Sequence, residues 1–213
     1  MNVSFKNGIL SFIETILLIL LPGILNYNKI YSLPIITLFI LWFIWTWSEK
    51  EQCIFDQKSG SYDKYTFELI IIGIYFTQLV TIIDYYLKVY NFSIIIYCIG
   101  LLFWILGIII RKVGICTLGK QFTAVIQVKE NYILIDDGIY KYIRHPGYLG
   151  ELISFLGTII ITKSIKGFFV YLIILLPIYY LRIINEEKML TSNFGNHYKK
   201  YMKRSKKLLP FIF

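Results

Sequence analysis

Six apolar runs dominate this chain and limit what it can fold into more than any other feature of its sequence. A helix needs about 20 predominantly apolar residues to cross the hydrocarbon core of a bilayer. The second, fifth and sixth runs are shorter, but flanking tryptophan and tyrosine side chains can extend them into the interfaces. The runs occupy residues 9–25, 33–47, 67–83, 92–110, 149–161 and 168–181. They predict an all-α, polytopic integral membrane helical bundle with about five to six spans.

Composition and charge agree with a membrane protein. Of the 213 residues, 57% are hydrophobic and 16% are charged, whereas a typical soluble domain has about 25% charged residues. A net charge of +9 would suggest a nucleic-acid partner in a soluble protein. With the C-terminus placed inside, however, 18 of the 22 basic residues fall on the cytoplasmic side, as the positive-inside rule requires. We therefore predict a multi-pass protein with both termini in the cytoplasm, membrane lipids around it and no nucleic-acid partner.

The only long connection between apolar runs, residues 111–148, separates two regions of the chain. It contains turn signals at Gly119 and at the Asp-Asp-Gly sequence of residues 136–138. Parts of it are too apolar for disorder, so we expect it to fold back against the membrane face. The predicted division is into N-terminal transmembrane helices over residues 1–113 and a C-terminal region over residues 114–213. Three widely spaced cysteines without a ligand pattern predict neither a disulfide nor a metal site.

The last two apolar runs predict a helical hairpin with nearly equal arms. About 17 residues lead from Gly147 to the turn, and about 17 lead back to Arg182, at 1.5 Å per helical residue. The segment 144–145 must then lie at the same membrane depth as the segment 182–187. No helix breaker follows until Gly195, so the final helix is predicted to continue as a cytosolic extension.

These two polar segments also have structural explanations. Arg182, Glu186 and Glu187 fit the solvated end of a helix. His145 and Pro146 fit a helix start, because proline in the first turn costs no hydrogen bond and favours an extended residue before it. In favour of a ligand site, the free N–H groups of a helix start attract an anion, and an arginine that precedes glutamate is the weaker orientation for a stabilising pair. The residues alone leave both explanations open.

Several C-terminal motifs occur in the order and at the spacings of a known family. They are GKQF at 119–122, DGIY at 137–140, RHPGYLG at 144–150, RIINEE at 182–187, FGNHYKKY at 194–201 and LPF at 209–211. With these residues the chain resembles the isoprenylcysteine carboxyl methyltransferase family, within the wider group of membrane methyltransferases that includes phospholipid N-methyltransferases. The resemblance runs from about Gly114 to the C-terminus. Tyr132 stands where the family often has a histidine, and Asp136-Asp137 replaces a common serine or threonine.

The resemblance implies a catalytic region that binds S-adenosylmethionine at the cytosolic face and takes a lipophilic acceptor from the bilayer. Glu186 and Glu187 can face the ammonium group of this donor, while Arg144 and the N–H groups from His145 onward can hold its carboxylate. Tyrosine rings can stack on the adenine or lie against the sulfonium. The predicted cofactor-binding residues are Tyr140, Arg144, His145, Pro146, Tyr148, Gly150, Glu186 and Glu187.

Arg182 and Glu186 are the predicted catalytic residues. Methyl transfer from a sulfonium is an in-line displacement, and a carboxylate acceptor is already ionised at neutral pH, so no general base is required. Arg182 is the candidate for orienting that carboxylate as it arrives from the lipid. Glu151, at a helix start, is a further candidate for contact with cofactor or substrate.

The favoured function is methylation of the carboxylate of a prenylcysteine-like acceptor by an enzyme of the bacterial inner membrane or the endoplasmic reticulum, with its site facing the cytoplasm. Phospholipid N-methylation shares the donor, but a neutral amine would gain less from Arg182. An NADPH-dependent sterol-type reductase is a second alternative, which the Glu186-Glu187 pair disfavours because acids repel phosphates. A transporter or scaffold is disfavoured because charges collect at one face and not along a midplane path.

Overall fold

A computed structural model of the chain describes residues 3–53, 65–89, 91–128 and 132–208, without the side chains of residues 3–5 and 50–53. The side chains of Lys50 and Cys53, and all of Lys58, Lys64, Lys129 and the motif at 209–211, therefore lie outside the described residues.

Helices form the whole framework of this described part. They are α1 (Val3–Thr15), α2 (Leu33–Cys53), α3 (Thr66–Leu87), α4 (Ile94–Leu118), α5 (Pro146–Thr162), α6 (Ile165–Val170), α7 (Leu176–Phe194) and α8 (Asn196–Arg204). A π-helical segment, Tyr171–Leu175, joins α6 to α7 in one continuous helix. The bundle confirms the predicted all-α membrane class.

Each of the six predicted apolar runs falls on helical segments, except that residues 92 and 93 of the fourth run precede α4. Among the described residues, four helical stretches are long and apolar enough to span a membrane, namely Lys6–Leu25, Thr66–Leu87, Ile94–Gln121 and Ile165–Phe194. The runs at Leu33–Glu49 and Pro146–Thr162 form shorter apolar helices. The predicted division of the chain at residue 113 stays a prediction.

Glycines allow α4 and α5 to pack backbone against backbone. A β-carbon built on Gly150 would stand 2.5 Å from the backbone N of Arg111 and 2.5 Å from the carbonyl O of Gly107. One built on Gly157 would stand 2.6 Å from the carbonyl O of Gly100. Small residues at such contacts are how membrane helices associate closely. This contact fixes the start of α5, and with it the RHP segment, against α4.

The predicted hairpin has its turn between α5 and α6. Lys163 adopts a left-handed conformation with φ of 51° after the last residue of α5. The Ser164 hydroxyl accepts a hydrogen bond from the N–H of Gly167 at 2.9 Å and donates one to Asp84 at 2.8 Å. The returning helix continues to Phe194 and ends at Gly195, whose φ is 52°. The hairpin and its long final helix are therefore as predicted.

The chain after α8 returns to the RHP segment. Arg144 N–H donates to the carbonyl of Lys206 at 2.8 Å, His145 N–H donates to Lys207 at 3.1 Å, and Lys206 N–H donates to Tyr142 at 2.9 Å. A small hydrophobic cluster holds α8 and the connection after α4 against α7. Its buried members are Ile126, Met189, Leu190, Tyr198 and Tyr201.

Candidate active site

A cavity with two chemically different halves opens among α2, α3, α5, α7 and the connection after α4. Its empty space, with the open solvent at its mouth included, is about 1200 Å³. The lining of the polar half includes Tyr140, Arg144, His145, Tyr148, Glu186 and Tyr198. The lining of the apolar half includes Trp45, Phe67, Ile70, Ile71 and Ile74.

The two segments predicted to lie at one depth do meet in this cavity. His145 Nδ1 lies 3.6 Å from Glu186 Oε2, and His145 Nε2 lies 3.4 Å from Glu187 Oε1. The imidazole stacks on the ring of Tyr148, with centroids 5.7 Å apart and planes 14° apart. The backbone of His145, with φ of −126° and ψ of 57°, lies outside the helical region that Pro146 disfavours, but it is not extended as predicted. The helix start and the acidic pair therefore form one polar surface.

Glu186 and Glu187 raise the pKa of His145. Burial lowers the pKa of His145, but the adjacent carboxylates of Glu186 and Glu187 outweigh burial, so the pKa lies above its ordinary value. Burial, together with the charge of Glu186, raises the pKa of Tyr140, whose hydroxyl therefore stays protonated. The two carboxylates thus favour the protonated form of the buried imidazole in the polar half.

The raised pKa predicts a pH-dependent contribution of His145 to stability. Protonation of His145 stabilises the fold fully below the unfolded-state pKa of about 6.5, and this contribution is lost as the pH rises through the higher folded-state value. The melting temperature of the detergent-solubilised protein should therefore exceed that of His145→Gln by more at about pH 6 than at about pH 9. Thermal unfolding measured across that range tests this. His197→Gln, at an exposed position on α8, is the matched control, and equal pH profiles for wild type and His145→Gln would contradict the assignment.

Arg144 holds the C-terminal segment in place. Its Nε donates to Glu187 Oε1 at 2.8 Å, and its Nη1 donates to the carbonyls of Met202, at 3.2 Å, and Ser205. The N–H of His145 is also taken, by the carbonyl of Lys207. The expectation that this N–H is open to an anion is therefore wrong, because a segment about sixty residues later already occupies it.

Gly150, Pro146 and Glu187 are the predicted site residues outside the cavity lining. Gly150 permits a close approach, as expected, but α4 makes that approach. Pro146 packs beside Gly114, which also lies on α4. Glu187 binds Arg144 and lies 3.5 Å from Lys207 Nζ. Their direct contact with a cofactor stays a prediction, and in this structure they support the residues that line the cavity.

Arg182 joins three parts of the site. Its Nε donates to the Tyr148 hydroxyl at 3.0 Å, Nη1 donates to Thr66 at 3.1 Å, and Nη2 donates to the carbonyl of Ala124 at 2.5 Å. The guanidinium also lies over the ring of Phe67. Arg182 is 3% exposed and stands on the boundary between the two halves of the cavity.

Sequence reasoning missed a charged network beside Arg182. Arg111 donates to both oxygens of Glu49, at 2.8 and 2.5 Å, and its Nη2 lies 3.2 Å from Glu151 Oε1. The Tyr179 hydroxyl donates to Glu151 Oε2 at 2.9 Å. Arg111, Glu49 and Glu151 all line the cavity. Charged residues at membrane depth are functional candidates, and that signal was available for Glu151, whereas Arg111 was counted only as a flanking charge.

Four buried polar atoms of the cavity lining have no hydrogen-bond partner among the described residues. They are Glu186 Oε2, Gln121 Oε1, the Tyr198 hydroxyl and Trp45 Nε1. Buried polar atoms are rarely left unpaired, since an unpaired one costs about 1–3 kcal/mol. Two of the three atoms in the polar half are pure acceptors, one of them on a carboxylate. A ligand that brings hydrogen-bond donors and positive charge would complete this half of the cavity.

The connection after α4 covers the cavity as expected from its apolar composition. The carbonyl of Ala124 accepts a hydrogen bond from Arg182, and Ile126 is 2% exposed. The ring of Tyr132 packs against that of Phe194 at an angle of 40°, with centroids 5.5 Å apart. Asp136 forms an ion pair with Arg204. Tyr132, which replaces the family's histidine, therefore lines the cavity while it packs on α7.

Fold and cavity together define a polytopic membrane protein with a two-part ligand site at one end of its bundle. Residues 98–192 match the isoprenylcysteine carboxyl methyltransferase family. The resemblance drawn from the sequence motifs is therefore confirmed. The match starts before Gly114 and does not include the motif at 194–201.

Individual relatives agree with the family match. The chain is 35% identical over 116 residues to a probable protein-S-isoprenylcysteine O-methyltransferase of Oryza sativa subsp. indica, covering 54% of this chain and 61% of that one. It is 33% identical over 112 residues to the protein-S-isoprenylcysteine O-methyltransferase of Schizosaccharomyces pombe, covering 52% of this chain and 48% of that one. The aligned part thus spans about half to three fifths of these curated relatives.

A solved structure shows the same fold. It is that of the eukaryotic intramembrane Ras methyltransferase ICMT, with a TM-score of 0.52 and 20% identity over 100% of this chain and 99% of the other. At that identity the likeness concerns the arrangement of the helices.

Proposed function

We propose that this protein is an S-adenosylmethionine-dependent methyltransferase that methylates the carboxylate of a prenylcysteine-like lipophilic acceptor. One observation carries the proposal: a single cavity joins two buried acceptor atoms that have no hydrogen-bond partner within the described residues, Glu186 Oε2 and Gln121 Oε1, to an apolar half between α2 and α3. A charged, nucleoside-containing donor and a hydrocarbon-bearing acceptor need these two surroundings side by side.

The polar half fits the donor group by group. Glu186 Oε2 can accept from the donor's ammonium, and charge-assisted bonds of this kind are the strong ones. Gln121 Oε1 can accept from an amino or hydroxyl group of the adenosine. Tyr140 and Tyr148 offer ring faces to the adenine or the sulfonium. When bound, S-adenosylmethionine supplies an electrophilic methyl group on its sulfonium.

The protein's own part in the reaction is to place the two reactants in line. An acceptor carboxylate is ionised at neutral pH, and no side chain has to remove a proton. Holding two reactants in reactive geometry contributes about 7–11 kcal/mol at best. Arg182 remains the candidate for orienting the carboxylate. To do so it would exchange one of its bonds to Tyr148, Thr66 or Ala124 for one to the acceptor.

The apolar half supports entry of the acceptor from the bilayer. Ile71 on α3 lines the cavity and is 38% exposed, so the acceptor has an apolar entrance at this edge. We further propose that the polar half faces the cytoplasm, because 18 of the 22 basic residues fall on that side in the predicted topology.

Calorimetric titration of the purified, detergent-solubilised protein tests the cofactor. S-adenosylhomocysteine, which keeps the ammonium and the adenosine, should bind with a stoichiometry of one, and NADPH should give no measurable heat of binding. The acidic pair would repel the phosphates of NADPH. Tight NADPH binding without binding of the homocysteine analogue would contradict the proposal in favour of a reductase.

A further inference from the structure

A second, smaller cavity lies behind the apolar half of the main one. Trp45 lines both cavities. On α3, Ile70 and Ile74 line the main cavity, while Gln78 and Ile82 line the smaller one. Residues four apart share one face of a helix, so the two cavities follow one another along the same face of α3.

Three aromatic rings separate the two cavities. The rings of Trp45 and Phe155 meet edge to face with centroids 5.4 Å apart, and Trp42 lies 5.0 Å from Trp45 and 6.3 Å from Phe155. All three residues are buried, with Trp45 6% exposed. Interlocked rings of this kind pack as densely as a protein core, so together they close off the apolar half.

The closure limits the depth that a hydrocarbon tail can occupy. Phe67, near Arg182, and Ile74, near the aromatic rings, are seven residues apart on α3, which corresponds to about 10 Å along the helix. Beyond the rings, the lining of the smaller cavity includes the polar side chain of Gln78.

We propose that Trp45, held in place by Phe155 behind it, forms the end wall of the acceptor's hydrocarbon site and sets the longest prenyl chain that the protein accepts. The inference rests on the proposed function, since it assigns the apolar half to the acceptor. It adds a chain-length limit and names the residues that impose it. Removal of the Trp45 indole joins the space it vacates, and the smaller cavity, to the apolar half.

Binding of a prenylcysteine series tests the wall directly. S-geranyl-, S-farnesyl- and S-geranylgeranyl-cysteine analogues are titrated against the full-length protein saturated with S-adenosylhomocysteine, and each Kd is measured. In wild type, affinity should rise from geranyl to farnesyl and not rise further to geranylgeranyl. In Trp45→Ala, the ratio of geranylgeranyl to farnesyl affinity should increase by about tenfold, because the longer tail gains buried apolar area.

Two further variants keep the test decisive. Trp45→Leu keeps an apolar side chain and should shift the ratio in the same direction by less, which covers the case in which Trp45→Ala does not fold. Trp47 lies on the same helix, is 39% exposed and lines neither cavity. Trp47→Ala should therefore leave the affinity ratio as in wild type. Retained binding of S-adenosylhomocysteine shows that each variant is folded.

The inference and the proposed function fail in different ways. If the affinity ratio shifts in the Trp45 variants but wild type methylates no prenyl acceptor, the wall stands and the proposed reaction is wrong. If methyl transfer occurs but both Trp45 variants change the ratio by less than about twofold, a difference below about 0.4 kcal/mol, the wall is wrong and the reaction stands. Failure of every analogue to bind would also contradict the wall.

Discussion

Replacement of Glu186 by glutamine should weaken the binding of S-adenosylhomocysteine by roughly 100-fold, because a bond to a charged group is worth about 1.5–3 kcal/mol and each tenfold costs 1.4 kcal/mol. Glu186 Oε2 is buried, has no hydrogen-bond partner within the described residues, and lines the cavity. Glutamine keeps the shape of the side chain but removes the charge that would face the ligand's ammonium. Isothermal titration of purified wild type and variant measures the difference.

The matched control for this change is Glu68→Gln. Glu68 lies in the first turn of α3 and is exposed, so the same chemical change there should leave the affinity for the analogue as in wild type. Melting temperatures of both variants establish that they are folded. If the affinity of Glu186→Gln stays within about threefold of wild type, the binding free energies differ by less than about 0.7 kcal/mol. That result would show that this carboxylate does not bind the ligand.

Substitution of Gly150 by leucine should prevent formation of the native bundle. A β-carbon at this position already meets the backbone N of Arg111 and the carbonyl O of Gly107 at 2.5 Å, and backbone atoms cannot move aside as a flexible side chain can. Overpacking a core costs about 1–3 kcal/mol, and more where backbones collide. Because α5 carries the RHP segment at its start, we expect loss of both monodisperse protein and ligand binding. Size-exclusion chromatography and thermal unfolding in detergent measure this.

Gly150→Ala and Gly8→Ala form the matched pair for this prediction. Alanine at Gly150 should still lower the melting temperature clearly, whereas a β-carbon on Gly8, in α1, meets no atom within 4 Å. Alanine in an open helical position is neutral or stabilising by up to about 1 kcal/mol. Equal melting temperatures for the two alanine variants would contradict the backbone contact between α4 and α5.

Local patterns made the hairpin predictable from the sequence. The length of the two apolar arms fixed the relative depth of His145 and Glu186, and Gly195 marked the end of the last helix, as the structure has it. The predicted site residues that line the cavity follow from the same argument, because they lie within a few residues of the two ends of the hairpin.

Contacts between distant segments were not predictable in the same way. The carbonyls of Lys206 and Lys207 accept hydrogen bonds from the N–H groups of Arg144 and His145. No periodicity in the sequence predicts such a pairing. The Glu49–Arg111–Glu151 network joins three helices, and each of its charges separately looks like a membrane flank. For Gly150 the sequence correctly indicates a close approach but does not say which group approaches.

Labelled methyl transfer tests the central claim most directly. Purified protein is supplied with S-adenosylmethionine labelled in its methyl group and, in separate reactions, with an S-farnesylcysteine analogue or with phosphatidylethanolamine. The account predicts that label enters the farnesylcysteine analogue as a base-labile methyl ester and that phosphatidylethanolamine stays unlabelled. Label in phosphatidylethanolamine alone, or in neither acceptor, would contradict it.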